Sequence, residues 1–241
     1  MTLAKPGIAF ICAVMLTGCA LVSSEKEPVE TTALPVAGST AGQLYQAYVA
    51  FEEAREAGDA VRMAHALQQR PVVIAETLEI SEEFLVWRET TDRMKRDTLQ
   101  MAKGDPDMLA AIGAIMRKGQ FKEQSLSQHD PDVHSFIGRI RPEEHTRVIR
   151  VGANSKTELA LKVVNSRGAI VYAENGGMGN ISLTIQGKDE LVICRDDSSH
   201  GALICRWRPS MNDKVIVIIE NTGTAATRIL TVTSQQLSPR K

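Results

Sequence analysis

The chain has 241 residues, a formal net charge of −1 and only 4% aromatic residues. That balance excludes a strongly basic nucleic-acid binder. The charge is unevenly spread: residues 25–145 sum to −7 and residues 146–241 to +5. The asymmetry implies either two modules that attract each other or a basic face for an anionic partner, with oppositely biased solvated faces as the plainer account.

The first residues read as an export signal. Lys5 precedes an apolar run from Gly7 to Leu16, and small residues follow. The run is too short to cross a bilayer, which needs about 20 apolar residues. The tetrapeptide Leu16-Thr17-Gly18-Cys19 resembles the lipobox of bacterial lipoproteins. That resemblance implies a signal peptide over 1–18, cleavage before Cys19, a diacylglycerol on the Cys19 sulfur and an acyl chain such as palmitate on the new amino terminus. Two or more chains hold a protein firmly to a bilayer, whereas one binds marginally. By the same resemblance, Ala20 directs the protein to the cell outer membrane, with its folded part in the periplasm.

Residues 19–40 hold Ser, Glu, Thr, Pro and Gly without periodicity and read as a lipidated, disordered tether. A helical module is expected over 41–128. Leu44, Tyr48 and Phe51 recur at helical spacing, and Gly58 closes that segment. Asp59 caps a second helix to Gln69, which Pro71 stops. A shorter helical stretch is expected from Val72 to Glu79. Ser81, followed by Glu82 and Glu83, caps a helix running to Lys103, with Phe84, Trp87, Met94 and Met101 near one face. Asp105 and Pro106 start a fourth helix over Met108–Lys118.

Residues 129–145 form a polar junction. From Thr146 the period becomes two. Leu159, Leu161 and Val163 alternate with polar neighbours, as do Ile181, Leu183 and Ile185, and the apolar run Val215–Ile219 suits a central strand. Glycines and Asn221-Thr222-Gly223 punctuate about eight strands. The expected fold is α+β in two modules: a small helical module, then an all-β antiparallel sandwich, jelly-roll-like, over 146–236, with 237–241 as a tail.

Once Cys12 leaves with the signal and Cys19 is lipidated, Cys194 and Cys205 remain, and an oxidising compartment makes them a disulfide. Zinc is disfavoured because no second ligand pair exists. If the two cysteines oppose each other within a hairpin, paired residue numbers sum to 399. Val192 then faces Trp207 beside the bridge. Leu203, Cys205 and Trp207 point inward, and Ile204, Arg206 and Arg208 point outward. Leu191 and Ile193 fall on the outer face, which requires cover by the helices or a bulge.

The stretch Ala160–Ser234, through Val192-Ile193-Cys194, Cys205-Arg206-Trp207-Arg208-Pro209 and Ile218-Ile219-Glu220-Asn221-Thr222-Gly223, resembles the pre-peptidase C-terminal domain and its relatives in proteobacterial envelope proteins. The resemblance implies a small, non-catalytic β-sandwich. Many relatives carry an acidic run before the strand that here reads Ile181-Ser182-Leu183-Thr184. Gly179-Asn180 stands in its place, so no calcium role carries over.

The chain has no Gly-x-Ser-x-Gly elbow, His-Glu-x-x-His, phosphate-binding loop or Cys-x-x-Cys. His129, Asp132 and His134 are the best metal-like cluster, but Pro131 and irregular spacing leave them unaligned. Glu76, Glu79, Glu82 and Glu83 flank a helix start, where acids serve as dipole partners. His200 lies beside Asp196, Asp197, Ser198 and Ser199 at a hairpin tip too mobile to hold a catalytic set. Arg195, Arg206 and Arg208 form a candidate basic binding stripe on the outer sheet face. No cofactor is expected. The reading is a non-enzymatic envelope scaffold or adaptor whose partners are the bilayer, through Cys19, and an envelope protein. The alternatives are a glycan- or peptidoglycan-binding sandwich, which an exposed Trp207 would favour, and more remotely a hydrolase.

Overall fold

The computed structural model describes residues 39–73, 81–124, 144–163, 168–176, 180–198, 201–209, 214–234 and 237–239, with side chains omitted for 118–124 and 238–239. Among the described residues, four α-helices precede nine strands, and all of these elements lie in one compact unit.

Helix α1 spans Thr40–Glu56. Its N-terminus is held twice: Ser39 accepts from the Gly42 amide, and the buried Glu144 carboxylate accepts from the amides of Thr40 and Ala41. The second contact places a negative charge at the positive end of the helix dipole and ties α1 to the start of the sandwich. At the other end Gly58 has a φ of +69°, and the Gly58 and Asp59 amides donate to Arg55 and Ala54 carbonyls. That is a Schellman closure, which glycine permits.

Helix α2, Ala60–Gln69, is capped by Asp59 as the sequence indicates. The helix expected from Val72 does not begin there: Val72 and Val73 are outside any helix, and residues 74–80 lie outside the described residues. Helix α3, Glu82–Met101, is capped by Ser81. It buries Val86, Trp87 and Met94, but Met101 is 38% exposed and does not share that face. Helix α4, Pro106–Gln124, is capped by Asp105 and runs six residues beyond the expected Lys118. Its Ile112 packs with Ala60, Ala64 and Ala102.

The strands are β1 (His145–Val151), β2 (Ser155–Lys162), β3 (Ala169–Glu174), β4 (Ile181–Gln186), β5 (Val192–Asp196), β6 (Ala202–Trp207), β7 (Lys214–Asn221), β8 (Thr227–Thr233) and β9 (Leu237–Pro239). They form a four-stranded sheet in the order β1-β8-β3-β6 and a five-stranded sheet in the order β5-β4-β7-β2-β9. Every connection changes sheet except β4 to β5, the path of a jelly roll. The apolar run Val215–Ile219 is central, paired on both sides by β2 and β4. The residues read as a tail contain β9, which extends β2.

The two sheets enclose one core that includes Leu159, Leu161, Leu183, Ile185, Val217 and Ile219. The outer face of the four-stranded sheet is also apolar, and the helices cover it. Leu44 and Tyr48 of α1, with Val86 and Trp87 of α3, pack on Tyr172, Ala202, Leu230 and Val232. Three layers result: helices, four-stranded sheet, five-stranded sheet.

The disulfide exists, but not within a hairpin. Cys194 and Cys205 are bonded with Cα atoms 5.8 Å apart. Strand β5 pairs with β4, and β6 pairs with β3, so the bridge joins the two sheets at one edge. The register summing to 399 is therefore absent. Leu203, Cys205 and Trp207 do point into the core. Val192 does not: a bulge between Ile185 and Gln186 sets Val192 opposite Gln186, and its side chain is 51% exposed. Of the two accounts offered for Leu191 and Ile193, the bulge holds. Helical cover does not, because the helices lie on the other sheet.

Candidate functional site

Two places on the molecule concentrate chemistry. The first is a buried charged cluster where α2 and α3 meet β3. Arg70 follows α2 because Pro71 cannot continue the helix. Its Nη2 donates to Glu174 Oε1 at 2.5 Å, and its Nε donates to the Thr91 hydroxyl at 3.2 Å. The Tyr172 hydroxyl donates to the second Glu174 oxygen. The Arg70 guanidinium lies 6.0 Å from the Trp87 ring centroid, and the Trp87 indole donates to the Pro71 carbonyl. Burial works most strongly against the Arg70 charge, but Glu174 and Tyr172 together outweigh it and leave the group more basic than an ordinary arginine. Burial, and then the Glu174 charge, push the Tyr172 hydroxyl well above the usual tyrosine range.

Every member of this cluster except Arg70 Nη1, which is buried without a protein partner, is committed to another protein group. The arrangement joins helices to sheet. Tyr48 works alongside it, accepting from the Gly201 amide and from Arg93. The sequence pattern singled out Tyr48 and Trp87 only as helix-face residues and did not reveal Arg70, Thr91, Tyr172 or Glu174. A charged Arg70 before a proline and a Glu174 ending an apolar strand were the signals available.

The second place is the outer face of the five-stranded sheet, which no helix among the described residues covers. Cross-strand register aligns Thr184, Ile218 and Glu158 in one row, and Gln186, Ile216 and Ala160 in the next. Ile216 and Ile218 are half-buried, and Lys156 pairs with Glu158 at 2.9 Å on the rim. At the β5 edge the face ends in Leu191 and Val192, the most exposed large apolar side chains described, at 60% and 51%. The turn before them, Lys188–Glu190, holds two non-glycine residues at positive φ, Asp189 at +62° and Glu190 at +60°. A depression of about 210 Å³ beside β1, β8 and β9, lined by His145, Thr146, Arg147, Thr233 and Leu237, brings no carboxylate to its histidine.

The three arginines proposed as one stripe are separated. Arg195 is exposed on β5 and pairs with Asp197 at 3.2 Å. Arg206 belongs to the other sheet, where burial lowers its basicity and the neighbouring Tyr45 of α1 partly restores it. Arg208 is exposed beyond the end of β6. The cause is the inter-sheet crossover between β5 and β6. Trp207 is buried at 4% exposure in the same core cluster as Cys205 and Cys194. Glu82 pairs with Arg150, and Asp196 accepts from the Ser198 and Ile204 amides. His129, Asp132, His134, Glu76, Glu79, Ser199, His200 and Cys19 lie outside the described residues. Among the described residues, no group of three or more His, Cys, Asp and Glu is placed to hold a metal ion, and no helix is long and apolar enough to cross a membrane.

No protein-family model matches the chain, and no curated protein matches it. Solved structures match the sandwich weakly. The pre-peptidase C-terminal domain of a Bacillus anthracis collagenase aligns at a TM-score of 0.33 and 6% identity, over 37% of this chain and 88% of that one. Aeromonas hydrophila PliG, a periplasmic inhibitor of g-type lysozyme, aligns at 0.30 and 11% identity, over 39% of this chain and 86% of that one. The Yersinia pseudotuberculosis-derived mitogen aligns at 0.29 and 13% identity, over 37% of this chain and 83% of that one.

Proposed function

We propose that this chain is a non-catalytic envelope lipoprotein that holds a protein partner against the outer face of its five-stranded sheet. The carrying observation is the asymmetry between the two sheets. Helices cover the apolar outer face of the four-stranded sheet, whereas among the described residues no helix packs on the face bearing Ile216 and Ile218. Half-buried isoleucines flanked by Ser182, Thr184 and Gln186, with a charged rim, match the apolar centre and polar rim of a transient interface. The inter-sheet disulfide and the buried Arg70–Glu174 pair stiffen the platform that presents it. Anchorage through Cys19, with residues 19–38 as tether, would bring the platform within reach of partners in the periplasm.

The glycan-binding alternative needs aromatic rings for sugar faces to stack on. Trp207 is in the core and Trp87 in the helix–sheet seam, so neither serves. The test is crosslinking in intact envelopes, recovery of the full-length chain and identification of bound protein and glycan by mass spectrometry. One stoichiometric protein, lost when Ile218→Glu places a charge in the centre of the face, is the expected result. Enriched glycan without a protein partner would overturn the reading in favour of the alternative.

A further inference from the structure

The geometry points to a second copy of this chain as the occupant of the β5 edge, joined antiparallel with Val192 opposite Val192. Among the described residues strand β5 ends the five-stranded sheet, and no described strand pairs with the other side of its backbone. Folded proteins ordinarily guard such an edge with charge or proline. Here the edge begins with Leu191, Val192 and Ile193, all exposed.

The structure limits which part of the edge is free. From Cys194 onward β5 is tied to the other sheet, through the disulfide to Cys205 and through Asp196, which accepts the Ile204 amide at 2.8 Å. The free part lies on the N-terminal side of Cys194, so a two-fold pairing centres there rather than on the bridged half.

Charge selects the same centre. With Val192 on the axis, the Asp189–Glu190 turn of one copy lies beside Arg195 of the other, twice by symmetry. A centre moved to Cys194 would instead bring Glu190 towards Asp196 and Asp197, setting like charges together. Arg195 is free to exchange partners, because its present pair with Asp197 is exposed at both ends and such pairs are weak. Both residues of that acidic turn, Asp189 and Glu190, have positive φ. The pairing would join two five-stranded sheets edge to edge and double the open face carrying Ile216 and Ile218. This inference shares a sheet with the proposed partner platform but does not depend on a heterologous partner being found.

The test is cysteine trapping of the full-length chain in intact cells. Directly opposed residues in antiparallel strands have Cα atoms about 4.5–5.5 Å apart, within disulfide reach. Val192→Cys should give a covalent dimer under mild oxidation, with the Cys194–Cys205 bridge intact by mass mapping. Leu109→Cys, exposed on α4, should stay monomeric. In the Val192→Cys background, Arg195→Glu should lower the yield about tenfold, and adding Asp189→Lys with Glu190→Lys should restore it. No dimer from Val192→Cys, equal trapping at Leu109→Cys, or a yield indifferent to the charge exchange would each overturn the inference. A monomer that still captures a single protein through Ile218 would leave the partner platform standing, so the two readings fail separately.

Discussion

Arg70 and Glu174 are 104 residues apart in the chain and meet at 2.5 Å, with their side chains 1% and 0% exposed. The pair bolts the end of α2 to the end of β3. Breaking a buried pair by removing one partner typically costs about 3–5 kcal/mol, because the other charge is left buried and uncompensated. Arg70→Met is expected to lose an amount in that range in urea denaturation. Arg70→Met with Glu174→Gln should recover part of the loss, since no lone charge remains. Equal losses in the single and double variants would show that the charge pairing is not what matters.

Tyr172 gives the fold an alkaline limit. Its pKa is raised by burial first and by Glu174 second, so the folded state holds the phenolic proton more tightly than the unfolded chain does. That contribution is complete below about pH 10, the ordinary tyrosine value, and is lost as pH rises towards the folded-state value. Stability measured at increasing pH should fall above about pH 10. Tyr172→Phe should be less stable at neutral pH, having lost the hydroxyl that donates to Glu174, and its alkaline fall should be shallower. Tyr48 and Tyr45, also raised by burial first, add losses of the same sign to the residual slope.

The Cys194–Cys205 bridge closes a short loop, with a sequence separation of 11. In the chain-entropy model such a loop contributes about 3 kcal/mol. Cys194→Ala with Cys205→Ala is expected to lower unfolding stability by about that amount. Because the bridge joins two sheets, hydrogen exchange should rise at the β5–β6 corner more than at β2 and β7. A uniform rise across both sheets would contradict that localisation.

The proposed function rests membrane attachment on the Cys19 sulfur alone. Cys19→Ala is expected to move the chain from the membrane pellet to the soluble fraction of an envelope preparation. Continued pelleting, with no change on detergent extraction, would remove the anchor from the proposal.

The sequence by itself determined the local elements, because caps and periodicity act over a few residues. Ser81, Asp59 and Asp105 are the caps they read as, since each side chain only has to reach an amide three positions on. Alternation placed Leu159 and Leu183 in the core, the apolar run Val215–Ile219 marked a central strand, and cysteine arithmetic identified the disulfide partners. Tertiary structure alone decided which strands are neighbours. Consecutive strands β5 and β6 look like a hairpin in the chain, but the apolar faces of two sheets must both be covered, and the chain satisfies them by crossing between layers. That crossing separates Arg195 from Arg206 and sets Val192 on an edge strand, while packing of the helices on the four-stranded sheet brings Arg70 to Glu174. Contacts between residues 104 positions apart leave no periodic trace in a sequence, because they depend on the packing of whole layers rather than on neighbours along the chain.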